Sequence, residues 1–153
     1  MRRCVQCGQK VVREVEVEDE VTVAGRTFAR KIPAIRCEHC GETYFKGLDL
    51  QTIEIEAAAV IAREGPSNGE TFRFMRKALG LRAVDIAELL DVAAETLSRW
   101  ETGQRPVDRP SWIAVSSMVL DKLEGRTTTL DRLKALLKPA PLPKLVRLVP
   151  RPA

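Results

Sequence analysis

Residues 81–103 read LRAVDIAELLDVAAETLSRWETG, and this stretch decides the fold. Ile86, Ala87, Leu89 and Leu90 form one helical face, and Leu97 and Trp100 form the next at i, i+3 spacing. Asp91-Val92 is the only short break between them. The pattern predicts two short helices joined by a tight turn and held at a fixed angle. Asp91 suits such a turn, because a short polar side chain tolerates the left-handed backbone and hydrogen-bonds locally.

This register resembles the helix-turn-helix of the Xre/Cro repressor family. The matching residues are Ile86-Ala87 in the first helix, Val92 just after the turn, and Thr96-Leu97-Ser98-Arg99-Trp100-Glu101 with Gly103 in and after the second. In such a pair the first helix braces across the DNA backbone, and the turn aims the N-terminal end of the second into the major groove. Three positions depart from the family's habit: Ala83 replaces a common Gln, Asp91 a Gly in the turn, and Ala93 a Ser or Thr at the start of the second helix. Losing the Gln removes a polar contact to DNA. The competing reading is a helix pair used only for packing or dimerisation, since a fold does not fix a function.

The resemblance also implies which side chains meet DNA. Glu95 and Arg99 align with the family's base-reading positions: a guanidinium can contact guanine bidentately, and a carboxylate can accept from the amino group of cytosine. The family carries an amide where Glu95 stands, so the acid implies either an altered base preference or an exposed spectator. Thr96, Ser98, Arg82, Arg105 and Arg109 are the candidates for the phosphate backbone. Trp100, at i+3 from Leu97, reads as core. One short reading helix rarely binds tightly alone, and two-fold pairing over ~34 Å of DNA is the usual remedy. A homodimer through the C-terminal domain is therefore expected, with Trp112 and Met118 as candidates for either the contact or the core.

Working outward, Phe72, Met75 and Leu79 make a core face over residues 70–79, and Gly80 stops that helix. Pro106 and Pro110 bracket a loop, and Pro110 suits the first turn of a helix running to about Leu123, with Trp112, Val115, Val119 and Leu123 on its face. Thr128 or Thr129 can cap a last helix carrying Leu130, Leu133, Leu136 and Leu137, which Pro139 ends. Five helices over residues 70–138 are predicted. That region holds twelve cations against ten anions, so DNA binding is argued from position and not from bulk charge.

The N-terminal region has a different chemistry. Cys4-Val5-Gln6-Cys7 and Cys37-Glu38-His39-Cys40 are two CxxC knuckles. A CxxC turn places both sulfurs on one side of a tight loop, so two such turns supply four thiolates for one structural zinc at ~2.3 Å. Between the knuckles Val15, Val17, Val21 and Val23 alternate with Glu16, Glu18 and Thr22, predicting strands paired across a turn at Ala24-Gly25. Such a hairpin brings the knuckles together. Redox-active CxxC sits at a strand-to-helix junction of a βαβ pattern, which is missing, and disulfides need an oxidising compartment. His39, the single histidine, is expected to point outward, and four thiolates leave no open position for catalysis.

From Asp49 to Glu64, Leu50, Ile53, Ala57, Val60 and Ile61 form one stripe of an amphipathic helix, expected to pack on the zinc domain. Gly65-Pro66-Ser67-Asn68-Gly69 breaks it and predicts a hinge. Residues 139–153 hold five prolines and three cations, too polar and broken for a core; they read as a disordered end, or as a segment lying along a partner. With 153 residues, 44% hydrophobic and 30% charged, the chain is of soluble globular type with one or two small domains. Neither an apolar run of ~20 residues nor a secretory leader is present, which predicts a cytoplasmic location and no membrane partner.

Residues 32–37, IPAIRC, followed by Cys40-Gly41-Glu42, resemble the YgiT-type zinc finger of MqsA-family antitoxins. In that family an N-terminal zinc domain precedes an Xre-type helix-turn-helix, the order found over residues 1–138. The resemblance implies a repressor that binds operator DNA through its C-terminal domain and a cognate toxin through its zinc domain. The expected fold is α+β: a zinc-binding β domain with its following helix over 1–64, a hinge at 65–69, an all-α five-helix domain over 70–138 and a tail over 139–153. The rivals are a stand-alone zinc-stabilised regulator and, more remotely, a redox or zinc enzyme. The single histidine lies inside the CEHC knuckle, so no Ser/His/Asp set can be assembled, and no phosphate-cradling Gly-rich motif is present; no enzyme is expected.

Overall fold

The structure, a computed structural model, describes residues 3–10, 12–45 and 47–150, without the side chains of residues 47–51. Alternating apolar and charged residues on either side of Ala24-Gly25 fold into a long hairpin. Strand β1 (Val12–Val23) pairs antiparallel with β2 (Arg26–Cys37), in register from Val12 opposite Cys37 to Val23 opposite Arg26. Both turn residues take positive φ, 50° at Ala24 and 70° at Gly25, the two-residue form whose twist matches that of the strands. A short β3 (Thr43–Phe45) pairs with residues 34–36 of β2, giving the order β1-β2-β3.

Burial along β1 follows the pleat: Val15, Val17 and Val21 are half-buried and Val23 is buried, while Glu14, Glu16, Glu18 and Glu20 face solvent on the other side. At ~3.4 Å per residue the hairpin is ~40 Å long, and its ends do different things. At the tip, Val23 joins the helical core and the Ala24 N–H donates to Glu70 Oε1 at 2.8 Å. The open end carries the cysteines.

Helix α1 (Gly47–Glu64) packs on β1 and β2 and also on the later helices α2 and α5. It is therefore covered on two sides, and the alanine run Ala57-Ala58-Ala59 lets both neighbours come close; all three are buried with Ile53 and Ile61. This corrects the single-stripe reading in two ways. Val60 is 40% exposed, and the helix joins the helical core as well as the sheet. The side chain of Leu50 lies outside the described residues.

Five helices follow: α2 (Gly69–Ala78), α3 (Ala83–Leu89), α4 (Ala94–Glu101), α5 (Arg109–Leu123) and α6 (Thr128–Leu137). The architecture is thus α+β, a three-stranded antiparallel sheet with a cysteine cluster followed by a helical region. Residues 65–69, where the sequence breaks, are tied at both ends. Thr71 Oγ1 donates to the Pro66 carbonyl at 2.6 Å, and Asn68 caps α2 by accepting the Thr71 N–H at 3.0 Å. At Gly69 a Cβ would lie 1.8 Å from the Trp100 carbonyl oxygen, so only glycine allows the start of α2 to rest on the end of α4.

The core joins Phe72 and Met75 of α2, Ile86 of α3, Leu97 and Trp100 of α4, and Val115 and Val119 of α5. Phe72 and Trp100 meet edge to face, with ring centroids 5.8 Å apart. Asp108 caps α5 through the Ser111 N–H at 2.8 Å, with Pro110 in the first turn. Met118 is 3% exposed, which assigns it to the core and removes it as a dimer contact; Trp112 is half-buried. Leu123, Leu136 and Leu137 face solvent instead of completing their helical faces, because α6 packs only through Leu130 and Leu133. Thr127, not Thr128 or Thr129, occupies the cap position of α6, and the Thr129 N–H donates to Asp121 Oδ2 at 2.8 Å. Residues 139–150 have no regular structure and are exposed; residues 151–153 of the tail lie outside the described residues.

Candidate metal centre and nucleic-acid interface

The register that sets Val12 opposite Cys37 brings the two knuckles together at the open end of the hairpin. Each knuckle is closed by the same bonds. The Cys4 N–H donates to the Gln9 carbonyl at 2.8 Å and the Gly8 N–H to the Cys4 carbonyl at 2.9 Å; the Cys37 N–H donates to the Glu42 carbonyl at 2.8 Å and the Gly41 N–H to the Cys37 carbonyl at 2.9 Å. Gly8 and Gly41 take positive φ, 71° and 75°, which turns the chain back after the second cysteine of each pair. Cys4 and Cys37 are buried, Cys7 is half-buried and Cys40 is exposed.

The four Sγ atoms of Cys4, Cys7, Cys37 and Cys40 lie within 4.8 Å of one another. Cys4 and Cys40 are 3.6 Å apart, as are Cys7 and Cys37, far beyond the ~2.05 Å of a disulfide. A tetrahedral ion with four sulfurs at ~2.3 Å has edges of ~3.8 Å. The donor set therefore fits a structural metal such as zinc. Without a cation the sulfurs cannot all ionise. At Cys40 a backbone bond at Glu42 favours the thiolate, yet burial and the three neighbouring sulfurs push the thiol up to about 12. Burial opposes ionisation of Cys4 too, but bonds led by the Tyr44 hydroxyl draw it down to about 6. A divalent ion bound among the sulfurs would neutralise their charge, so metal binding and ionisation are coupled. His39 is exposed, as expected, and outside the cluster.

The second site is built on α4. Asp91, with φ of 53°, turns the chain between α3 and α4 in the left-handed conformation its short side chain tolerates. Leu97 and Trp100 are buried, which fixes the rotation of α4 and leaves Ala94, Glu95, Ser98, Arg99 and Thr102 exposed along one face. Thr96 is half-buried at the flank of that face. Arg99 Nη2 donates to Glu95 Oε1 at 2.5 Å, so the two base-reading candidates are paired to each other in the free protein. Arg105 and Arg109 are exposed on the loop and helix start that follow. Arg82 is exposed before α3, but its guanidinium holds Asp85 bidentately at 2.8 Å and keeps that carboxyl below the usual range, which offsets the charge it can offer phosphate.

One structural pair has no signature in the sequence. Arg76 of α2 donates from Nε and Nη2 to Glu101 of α4 at 2.5 and 2.9 Å, and from Nη1 to the Leu81 carbonyl at 2.9 Å. Glu101 was visible as part of the helix-turn-helix pattern, but its partner lies 25 residues upstream with no local signal.

A helix-turn-helix domain family matches residues 69–117, the span from the start of α2 to the middle of α5. No curated protein matches the chain. The match and the geometry agree that residues 69–117 form a DNA-binding helix-turn-helix, which points to a transcriptional regulator. Among the described residues no helix is long and apolar enough to cross a membrane.

Proposed function

We propose that the chain is a sequence-specific transcriptional repressor of the MqsA antitoxin type, binding operator DNA through α4 and a cognate toxin through its N-terminal region. The observation that carries the DNA half is the exposed face of α4, which presents Glu95, Ser98 and Arg99 while Leu97 and Trp100 anchor the helix behind them. Arg99 and Glu95 read bases; Ser98, Thr96, Arg105, Arg109 and Arg82 hold the backbone, Arg82 the least of them because Asp85 already occupies it. The protein works as a homodimer through its C-terminal domain, in the cytoplasm.

One structural zinc per chain is held by Cys4, Cys7, Cys37 and Cys40, where it cross-links the two knuckles and closes the open end of the hairpin. A toxin partner is supported by the solvent face of β1, whose Glu14, Glu16, Glu18 and Glu20 offer a row of carboxylates to a basic protein. The functional division follows residues 1–64 and 70–138, with 65–69 between them and the tail of 139–153 apart from both.

The test combines metal analysis, selection of duplexes from a randomised pool, and co-purification with the product of the neighbouring reading frame. One zinc per chain, a two-fold site with half-sites ~34 Å apart and capture of a small basic nuclease are expected. Failure to enrich any duplex overturns the DNA reading. A selected site without a captured partner favours the stand-alone regulator.

A further inference from the structure

The two knuckles match in their backbone bonds but not in what surrounds their sulfurs. Tyr44 lies in β3, opposite Ile35 of β2, and its hydroxyl stands 2.8 Å from Cys4 Sγ. The backbone N–H of Gln6, inside the first knuckle, donates to the same hydroxyl oxygen at 3.0 Å. An amide N–H can only donate, so the phenol oxygen is the acceptor in that bond. Its single proton then remains for the sulfur. A metal-bound thiolate has no proton of its own and must accept, so the direction of the Tyr44 to Cys4 bond follows from the chemistry of the two neighbours.

We propose that Tyr44 is a positioning residue of the metal centre: its hydroxyl donates to the Cys4 thiolate, fixes that sulfur's orientation and clasps the first knuckle onto β3. The inference rests on the reading of the four cysteines as a zinc site. A hydrogen bond to a ligand atom draws off part of its charge, which matters where four thiolates surround one dication. It also holds Cys4, which comes from the chain before the sheet, against a sheet that supplies the second knuckle. Cys40, exposed and 3.6 Å from Cys4, has no such hydroxyl in the described contacts and is the ligand most open to attack. The short β3 thus has a function beyond sheet extension: its three residues set a phenol at the one place where it reaches both Gln6 and Cys4.

Tyr44→Phe keeps the ring and removes the proton; Tyr44→Leu removes the ring as well. Zinc content of each full-length variant, zinc affinity by chelator competition, the thiolate-to-metal charge-transfer bands of the cobalt-substituted protein, and the order of cysteine alkylation with zinc bound are the readouts. Tyr44→Phe is expected to weaken zinc roughly 10- to 100-fold, to shift the cobalt bands, and to speed alkylation of Cys4 while leaving Cys40 the fastest. A Phe variant that binds zinc as the wild type does, whether or not Tyr44→Leu fails, overturns the proposal, because ring packing alone then accounts for the residue. A wild-type chain that takes up no zinc overturns the metal reading itself, a result distinct from equal affinities in the two proteins.

Discussion

Replacing Arg99 with Ala tests what α4 does on DNA, and the structure supplies the terms. Arg99 is held by Glu95 at 2.5 Å, but both side chains are open, 53% and 73% exposed. An exposed pair four residues apart on a helix contributes about 0.3–0.5 kcal/mol, whereas a bidentate contact to guanine discriminates by about 1–3 kcal/mol. The second term is larger, so the guanidinium can leave or share Glu95 for a base and still gain. Arg99→Ala is therefore expected to weaken the selected site by about 1–3 kcal/mol and to leave a random duplex nearly unchanged. Arg105→Ala should weaken both, and should lower the salt slope of log affinity by about one unit. Glu95→Gln frees Arg99 and removes an anion from the face that meets phosphate, which should tighten random duplexes about twofold. It should also move the preference at one base pair from cytosine toward adenine, the partner of an amide. Fluorescence anisotropy of selected and random duplexes over a salt titration measures all three. Equal losses on both duplexes for Arg99→Ala would make Arg99 a phosphate contact and refute the reading of the helix face.

Two further outcomes follow from packing and charge. Arg76→Ala leaves Glu101, only 11% exposed, without its bidentate partner and with only the exposed Arg73 at 4.0 Å. Breaking a buried pair costs about 3–5 kcal/mol when the remaining charge is uncompensated, so the low end of that range is expected by thermal unfolding followed by circular dichroism, and a loss under about 1 kcal/mol would contradict the buried-pair account. Asp121 is held below the ordinary carboxylate range, first by the Thr129 backbone N–H and then by the Thr129 side chain and Arg126. A depressed folded pKa contributes stability that is present above the ordinary carboxyl range and is lost as pH falls through the folded value. Wild type and Asp121→Asn should therefore differ in melting temperature near neutrality and converge in strong acid; a gap that is the same at every pH would mean that the charge is irrelevant.

What the sequence made legible were features with short-range causes. The hairpin could be read because alternation and a Gly-bearing turn are local, and the cysteine knuckles because two CxxC pairs are. The buried Leu97 and Trp100 followed from i, i+3 spacing, and the left-handed Asp91 from its side chain. Less was legible where two surfaces compete for one helix. The periodicity of α1 predicts a single stripe, yet burial on both the sheet and α5 draws in Ala58 and Ala59 and turns Val60 outward. On α6 the spacing of four leucines promised one face, but the helix meets its neighbours through Leu130 and Leu133 only, and Leu136 remains 71% exposed. Tyr44 follows Cys40 closely in the sequence, but the sulfur it bonds is that of Cys4, 40 residues away, and only the pairing of β3 with β2 brings the two together.

The same distances bear on how the two halves can communicate. The cysteines lie ~40 Å from the hairpin's tip, on the strand spacing of ~3.4 Å per residue, so loss of a metal there would act first on the end away from the bond to Glu70. At the tip, however, the Ala24 N–H is bonded to Glu70, the second residue of α2, and the first, Gly69, rests on the backbone of Trp100 in α4. Each step of that path is a direct contact with no side-chain slack at Gly69. A partner bound along β1 that tilts the hairpin must therefore break the bond to Glu70 or move the start of α2 against the end of α4. Loss of a metal at the cysteines can leave DNA binding nearly intact, and so can a displacement that only breaks the bond to Glu70; a displacement that carries the start of α2 with it cannot, because Gly69 rests on the end of α4.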